Sequence, residues 1–205
     1  MARSIAKKKT RELILKLSVP FFAKYGYNGV SMRDIAAAVE LTPAALYYHF
    51  PDKEQLYIDV VAHEFQGKSV ALTDALIGPE SAWERLKKFI ESLAQLAATD
   101  ESFVALMQRV RLDSNADRQH KLAEYVFKDL FFAVHDLVSK LNLRYDAHML
   151  SMSIFGMIFF PVEMGAIRMA MPGYSPEQTD PVVLARHVVD FLRMGVKDIE
   201  GVINK

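Results

Sequence analysis

The sequence predicts an all-α protein, and two observations support that fold class. Apolar residues recur at three- and four-residue steps through most of the 205-residue chain, which places them on one face of a helix. Helix-capping residues such as Ser31, Thr42 and Ser81 precede several of these stretches, whereas Gly26 and Gly78 follow others. Because 51% of the residues are hydrophobic, the chain can bury a sizeable core.

The first helix is predicted to begin at Thr10, a good N-cap residue, and to end at Gly26. Pro20 lies inside it, where the missing N–H removes a hydrogen bond at a cost of about 3 kcal/mol if nothing compensates. We therefore expect this proline to bend the first helix.

A short second helix is predicted after Ser31, which is suited to cap it. Its small residues make it compact, and Ile35, Ala38 and Val39 are expected to form its buried face. Glu40 and Leu41 then fall in a tight turn.

A third helix, also short, is predicted after the N-cap Thr42, with Pro43 at the first helical position, where a missing N–H costs nothing. Leu46 and Phe50 are spaced i, i+4 toward a core. Asp52 is expected to cap the next helix. Two short helices joined by a tight turn are the layout of a helix-turn-helix, whose second helix reads DNA. Two short amphipathic helices of an ordinary bundle remain the alternative interpretation.

The same segment resembles the TetR family of bacterial repressors, over about the first 57 residues. The resemblance is carried by Gly26-Tyr27, by Ser31-x-Arg33-Asp34-Ile35-Ala36, and by Thr42-Pro43-Ala44-Ala45-Leu46-Tyr47-Tyr48-His49-Phe50-x-x-Lys53. It implies a three-helix DNA-binding domain over residues 1–52 and a larger helical domain for ligand binding and dimerisation over residues 53–205. In this family a glycine commonly occupies the position of Glu40, so we expect either a reshaped turn or a pairing of Glu40 with Arg33 or Lys7.

The resemblance also implies which residues touch DNA. Base contacts are expected from Arg33, Pro43, Ala44, Ala45 and Tyr48. Arg33 can donate two hydrogen bonds to one guanine, whereas Pro43, Ala44 and Ala45 can recognise only thymine methyl groups and groove shape. Phosphate contacts are expected from Ser31, Thr42, Tyr47, His49 and Lys53, with further affinity from Lys7, Lys8 and Lys9.

The charge distribution agrees with a DNA-binding N-terminal domain. The whole chain is neutral, but residues 1–50 have a net charge of +5 and the remainder −5. A basic segment on an acidic body steers the basic side toward a polyanion. The basic residues before Thr10 could equally form a solvated tail.

The rest of the chain predicts a helical body. Helices are expected over residues 52–77, 82–98, 101–112, 118–141, 146–170 and 181–200. The wide apolar faces of the last two exceed what one neighbour would cover. By resemblance these two helices form a homodimer interface, with Met149, Ser153, Gly156, Phe160, Met164, Leu184, Val188, Phe191 and Gly195 as candidates. Residues 147–162 are apolar but too short to span a membrane, and no membrane association is expected.

No catalytic or metal-binding pattern stands out. The histidines lack the spacing of a helical metal site, glycine-rich phosphate loops are absent, and the chain has no cysteine for a disulfide or a thiolate ligand. Asp113, Asp117 and Glu124 are interpreted as a solvated loop and helix face. We expect neither enzyme activity nor a cofactor, and a cysteine-free chain is compatible with the cytoplasm, where we expect it to act.

The body is rich in phenylalanine and methionine, which could line a cavity for a small hydrophobic or aromatic effector. The candidate residues are Phe103, Met107, Arg109, Phe127, Phe131, His135 and Phe159. Together these observations predict a homodimeric repressor of double-stranded DNA that an effector releases. An architectural DNA-binding factor without an effector, and a binding protein that has lost DNA affinity, are the competing interpretations.

Overall fold

A computed structural model describes the backbone of residues 2–141 and 145–202, with the side chains of residues 10–141 and 145–194. This part of the chain is helical and contains no strand, which confirms the predicted all-α class. The α-helices are α1 (Ala2–Tyr25), α2 (Met32–Ala38), α3 (Pro43–His49), α4 (Lys53–Leu76), α5 (Ala82–Thr99), α6 (Glu101–Arg111), α7 (Ala116–Leu122), α8 (Lys128–Lys140), α9 (Ala147–Glu163), α10 (Gly165–Met169) and α11 (Pro181–Val202). A π-helical turn (Ala123–Phe127) joins α7 to α8, and a 3₁₀ turn (Pro176–Thr179) precedes α11.

The chain forms two compact units. The first comprises Met1–Lys68 with Ser102–Lys128, and the second comprises Ser69–Glu101 with Asp129–Lys205. The first unit therefore combines α1 to α3 with α6 and α7, which come much later in the sequence. The predicted domain boundary at residue 52 separates DNA binding from ligand binding and dimerisation, and it stays a prediction.

Helix α1 begins earlier than predicted and runs through its proline. It starts at Ala2, so Thr10 lies inside the helix and is not its N-cap. The residues before Thr10 include alanine, lysine and arginine, which favour helix, and none of them is a helix breaker. The helix therefore starts upstream of Thr10, although threonine can serve as an N-cap. The helix continues past Pro20 to Tyr25. The predicted bend stays a prediction.

The core of the first unit is built from α1, α2, α3 and α4 with support from α6 and α7. Leu46 and Phe50 are fully buried, as predicted from their spacing. Helix α2 buries Met32, Ile35 and Ala36, whereas the predicted Ala38 is exposed and Val39 is only half-buried. The helix begins one residue after Ser31, and positions i, i+3 and i+4 from Met32 form the inner stripe.

The turn between α2 and α3 keeps the geometry expected of glycine although it carries glutamate. Glu40 has a φ of +56°, and no other non-glycine residue in the described ranges has a positive φ. The amide of Leu41 donates to the carbonyl of Ala36 at 2.8 Å, and that of Glu40 donates to the carbonyl of Ala37 at 3.2 Å. These two bonds form a Schellman cap, which satisfies the last carbonyls of α2. The turn is therefore not reshaped.

A buried arginine joins α7 to the segments around α2. Among the described residues Arg118 is the only buried charged residue, with 4% of its surface exposed. Its Nη2 donates to Oδ1 of Asp113 at 2.7 Å and its Nε donates to the other carboxylate oxygen. Its guanidinium also lies 3.5 Å from the ring centroid of Tyr27 and 3.7 Å from the carboxylate of Glu54. Asp113 is therefore part of a buried ion pair, and its interpretation as a solvated loop residue was wrong.

The second unit packs α5 against α9 and α11. Its core includes Phe89, Ile154, Ile158, Ala185 and Val188, all of them buried. The ring of Phe155 lies edge-on to Phe89 at 5.9 Å, and the ring of His148 packs against Phe131 at 5.2 Å. In the described part of the chain no helix is long and apolar enough to cross a membrane.

Two predicted long helices are interrupted. The helix expected over residues 118–141 contains the π-helical turn Ala123–Phe127, and the helix expected over residues 146–170 breaks at Met164. Gly165, with a φ of +42°, follows that break, and the preceding Pro161 cannot donate a helical hydrogen bond. Helical periodicity continues across a break of one residue, so it did not reveal this one.

Replacing Glu40 with glycine is expected to raise the free energy of unfolding. A residue with a Cβ costs about 1–2 kcal/mol in the left-handed region, and the larger unfolded-state entropy of glycine offsets about 0.4–1 kcal/mol of the gain. Urea unfolding should therefore show a net increase of about 0.5–1 kcal/mol. The control Glu40→Ala removes the charge but keeps the Cβ, and equal gains from both variants would contradict a backbone origin.

The Asp113–Arg118 pair should make stability depend on acid. Hydrogen bonds from Arg118 hold the pKa of Asp113 below its usual range, so the pair stabilises the fold above about pH 4. That contribution is lost as the pH falls through the folded-state pKa. Asp113→Asn removes the hydrogen-bonded counter-charge of a buried guanidinium and leaves only the Glu54 carboxylate at 3.7 Å, so it is expected to cost about 3 kcal/mol at neutral pH. The deficit should shrink in unfolding experiments below about pH 4.

The matched control is Glu124→Gln, which removes a carboxylate paired with Lys128 on an exposed helix face. Exposed pairs contribute little to stability, so we expect no measurable change. A deficit for Asp113→Asn that stayed constant from pH 3 to pH 7 would refute the assignment.

Candidate nucleic-acid interface

The outer face of α3 is the most distinctive exposed surface of the first unit. Burial of Leu46 fixes which side of the helix faces inward. Pro43, Ala44 and Tyr48 therefore face solvent, with 65% of Tyr48 exposed, and Ala45 is half-buried. The predicted contacts on α3 thus lie along one short helix whose outer face is exposed.

The start of α3 is fixed by its cap. The side-chain oxygen of Thr42 accepts a hydrogen bond from the amide of Ala45 at 3.2 Å. The hydroxyl proton of Thr42 is not used in this bond, so it can still be donated to a phosphate oxygen. Tyr47, half exposed, lies in the same short helix with a second hydroxyl donor, and the half-buried His49 packs against the ring of Tyr48 at 5.4 Å.

Arg33 is exposed on α2, and no ion pair to it occurs within the described residues. The predicted alternative, a pairing with Glu40, is therefore not formed. Lys7, the other suggested partner of Glu40, lies outside the residues whose side chains are described, as do Lys8 and Lys9. Arg33 is thus an exposed guanidinium on α2, the helix that precedes α3.

Ser31 is occupied by its own helix. Its hydroxyl donates to Asp34 at 2.6 Å and its amide donates to the same carboxylate at 2.9 Å. These bonds complete a capping box and lower the pKa of Asp34. Because the single hydroxyl proton is already donated, the geometry does not favour the predicted phosphate contact of Ser31.

Lys53 is also engaged within the first unit. Its Nζ donates to the carbonyl of Val30 at 3.1 Å and lies 4.0 Å from the ring centroid of Tyr27. Burial, and then the nearby positive charge of Arg118, lower the pKa of Lys53. A phosphate contact by Lys53 remains a prediction, and it would have to use the donors that Val30 leaves free.

Arg109 has a different place from the one predicted. Its Nη2 donates to the carbonyl of Lys24 at 2.7 Å, and its Nε donates to that of Ala23 at 3.4 Å. These are carbonyls at the C-terminal end of α1, where a cation is favoured by the helix dipole. Arg109 therefore caps α1, and its assignment as a polar anchor of a ligand cavity was wrong.

The other candidates for a ligand cavity are divided between the units. Phe103, Met107 and Phe127 belong to the first unit, whereas Phe131, His135 and Phe159 belong to the second. None of them lines the cavity of about 610 Å³ found along α5 and α11. That cavity is lined by Trp83, Glu84, Lys87, Glu91, Gln95, Pro181, Val182, Ala185, Arg186, Val189, Asp190 and Arg193. No metal-binding cluster of three or more ligands occurs among the described residues.

The candidates for a dimer interface are mostly exposed. Met149, Phe160 and Phe191 are at least half exposed, and Ser153 and Gly156 also face solvent. Further large apolar side chains on α9, α10 and α11 are exposed, namely Met152, Ile167, Met169, Val182 and Met194. Exposed apolar side chains on neighbouring elements are the kind of surface that a second copy can cover.

Four interface candidates differ from these exposed residues. Val188 is fully buried within its own chain, so its inclusion was wrong: it has no surface left for a partner. Met164 and Leu184 are only half-buried and stay candidates. The remaining candidate, Gly195, lies outside the described side chains.

Sequence reasoning missed the cluster around Arg118. Tyr27 is the one member of this cluster that the quoted motif contains, because Arg118 and Asp113 lie far along the chain from that motif. A pair of opposite charges five residues apart on either side of a capping Asn115 was the available signal.

Comparison with known proteins places the helix-turn-helix in a family. The model for bacterial regulatory proteins of the tetR family matches residues 14–60. The HTH-type transcriptional repressor NicS of Pseudomonas putida is 34% identical over 85 residues, which cover 40% of this chain and 40% of NicS. The alignment therefore spans less than half of that relative.

Solved structures match nearly the whole chain in fold. The regulator FadR from Bacillus subtilis, in complex with stearoyl-CoA, has a TM-score of 0.74 at 20% identity and covers 90% of this chain and 98% of its own. AibR, in complex with isovaleryl coenzyme A and operator DNA, has a TM-score of 0.70 at 19% identity, with 89% and 97% covered. Residues 14–60 are therefore similar to the N-terminal segment of bacterial regulatory proteins of the tetR family. The chain as a whole shares its helical fold with FadR and AibR.

Proposed function

We propose that this protein is a homodimeric transcriptional repressor that binds a pseudo-palindromic DNA operator and is released by a small-molecule effector. The observation that carries the proposal is the exposed face of α3, together with the exposed Arg33 of α2, on a helix-turn-helix with intact caps. NicS is a repressor, and AibR has been solved with operator DNA, which supports the same role here. Operator binding implies action in the cytoplasm.

The chemistry of α3 defines how it would read a base sequence. Pro43, Ala44 and Ala45 have no hydrogen-bonding side chain, so they recognise thymine methyl groups and the shape of the major groove. Tyr48 adds one hydroxyl. Arg33 supplies the strongest base contact, because a guanidinium can donate two hydrogen bonds to one guanine.

Phosphate contacts would come from Thr42, Tyr47, His49 and Lys53, aided by the basic residues Lys7, Lys8 and Lys9. Such contacts orient the protein on the duplex without reading sequence. Each cation that neutralises a phosphate also makes binding weaken as salt rises.

Dimerisation would bring two copies of α3 to successive turns of the major groove, about 34–36 Å apart. The exposed apolar side chains of α9, α10 and α11 provide a surface that a second copy can cover. A two-fold axis makes such a surface self-complementary, and it accounts for the palindromic operator.

For the effector we propose an acyl coenzyme A thioester. FadR and AibR, two proteins of this fold, have been solved with such ligands, stearoyl-CoA and isovaleryl coenzyme A. An acyl chain also suits the phenylalanine- and methionine-rich body of this chain. The effector must prefer the form with low operator affinity, because a ligand shifts an equilibrium only by its differential affinity.

A two-stage experiment tests this function. Selection from random duplexes with the purified protein should yield a palindromic sequence that binds at least 1,000-fold tighter than scrambled DNA, about the lower end for specific regulators. Acyl-CoA esters of increasing chain length are then added to the complex, with free coenzyme A and free fatty acid as controls. Release by some esters and by neither control is expected.

Each stage has its own failing result. Selection without enrichment would overturn DNA recognition, and an enriched sequence without two-fold symmetry would overturn the dimeric arrangement. Release by free fatty acid alone would reject the thioester. A stable complex under every ligand would favour the architectural factor.

Arg33→Ala is expected to lower affinity at one base pair of each half-site. Loss of a bidentate contact costs about 1–3 kcal/mol of discrimination against the wrong base. Affinity for scrambled DNA should barely change. The control Tyr47→Phe removes only a hydroxyl assigned to phosphate, so it should weaken cognate and scrambled duplexes equally. Titrations with single-base operator variants measure both effects, and a uniform loss for Arg33→Ala would contradict its role.

Phe191→Lys should dissociate the dimer. Burying a phenylalanine contributes about 1.5–3 kcal/mol, and a two-fold interface loses two copies at once. We expect dimerisation to weaken by roughly 100-fold or more, measured by analytical ultracentrifugation. The control Phe132→Lys changes an equally exposed phenylalanine on α8, outside the proposed interface. Equal dissociation by both variants would reject the α9–α11 surface.

A further inference from the structure

We propose that Arg118, on α7, is a positioning residue for DNA recognition: it holds the loop that leads into α2, and hence the orientation of α2 and α3. The inference rests on the proposed DNA-binding function. Arg118 lies far outside residues 14–60, which the family model matches. Among the described contacts, Arg118 is linked to the residues assigned to DNA contact only through the ring of Tyr27, over which Lys53 also lies.

The side chain of Arg118 is held rigidly. Its two hydrogen bonds to Asp113 fix the plane of the guanidinium, and both side chains are about 95% shielded from solvent. Asp113 is itself fixed, because its carbonyl accepts a hydrogen bond from Gln119 at 2.6 Å and its carboxylate accepts one from the amide of Asn115 at 3.0 Å. The cation therefore presents a stationary flat face.

The flat face of the Arg118 guanidinium stacks on the ring of Tyr27. A separation of 3.5 Å between the guanidinium carbon and the ring centroid is a close stacking contact. The ring of Tyr57, fully buried, packs edge-on to Tyr27 at 5.4 Å and to Phe22 at 5.0 Å. Tyr27 is thereby held between a fixed cation and the core of the first unit.

Lys53 connects Tyr27 to the helix-turn-helix. The ammonium of Lys53 lies over the same ring and donates to the carbonyl of Val30. Val30 directly precedes Ser31, the N-cap of α2. The contacts therefore run from α7 through Tyr27 and Lys53 to the residue before the cap of α2.

Arg118 differs in this respect from its neighbour Lys121. Lys121 also pairs with Glu54, but its side chain is half exposed and it has no contact with Tyr27 among the described interactions. Removing Lys121 therefore loses a surface ion pair only. Removing Arg118 frees one face of Tyr27 and leaves Asp113 buried without its counter-charge.

The consequence for DNA binding is selective. Base contacts need donors and acceptors aligned in the groove, so they are lost when α2 and α3 sample a range of orientations. Phosphate contacts by flexible cations tolerate such movement. Loss of Arg118 should therefore reduce the preference for the operator over scrambled DNA more than it reduces scrambled binding itself.

The test compares Arg118→Lys and Arg118→Met with the control Lys121→Met, at a temperature where each variant is folded. Lysine keeps the charge but cannot form the planar stack or the paired hydrogen bonds, so it should not rescue. For both Arg118 variants we expect the ratio of operator affinity to scrambled affinity to fall about tenfold. The dependence of scrambled binding on salt should be unchanged.

A second readout does not depend on DNA. Amide hydrogen exchange in α2 and α3 should quicken in the Arg118 variants and stay unchanged in Lys121→Met. If Arg118→Met does not fold, Tyr27→Leu removes the ring face without leaving a buried charge unpaired, and it should lower the same ratio.

The outcomes separate this inference from the proposed function. Unaltered protein without any preference for an operator would overturn the proposed function, and amide exchange alone would then decide the role of Arg118. An unchanged affinity ratio in folded Arg118→Lys would overturn the positioning role. A reduced salt dependence of scrambled binding would also overturn it, because it would show a direct phosphate contact.

Discussion

Helices α2 and α3 contain seven residues each, too few to be stable alone in water, because each must form its first turn at a cost that so few hydrogen bonds cannot repay. Their shape therefore depends on burying one face. Ile35, Leu46 and Phe50 are completely withdrawn from solvent and supply that burial. Caps at Ser31 and Thr42 satisfy the amides that helices this short leave open. The opposite faces remain exposed, which is what a DNA-binding surface requires.

Apolar burial determines which side of a short helix points inward. It restrains small rotations of the helix, and sliding along its axis, only weakly, because the hydrophobic effect has no direction. Directional contacts from a later part of the chain supply what is missing. Arg109 binds the last carbonyls of α1, and Arg118 stacks on Tyr27 while pairing with Asp113. The first compact unit consequently includes residues 102–128, although the family resemblance ends near residue 57.

The features predicted correctly from the sequence are those that depend on near neighbours in the chain. The caps at Ser31 and Thr42 each involve a partner three residues away. The turn at Glu40 was expected to be reshaped or paired, and it instead keeps an ordinary left-handed geometry. Asp113 and Arg109 were misinterpreted because their decisive contacts or their burial depend on packing that composition does not encode. The break at Met164 was missed for another reason: a single irregular residue leaves the helical periodicity on both sides nearly intact.

The composition of α3 explains why orientation matters more here than in a helix rich in donors. Pro43, Ala44 and Ala45 recognise DNA only by fitting its surface, and such contacts lose their energy within an ångström or so of displacement. A helix with several long polar side chains could adjust by changing rotamers. This one cannot, so its specificity depends on how firmly the rest of the unit holds it. The buried charge of Arg118, which costs free energy to place in the interior, is consistent with selection for that rigidity.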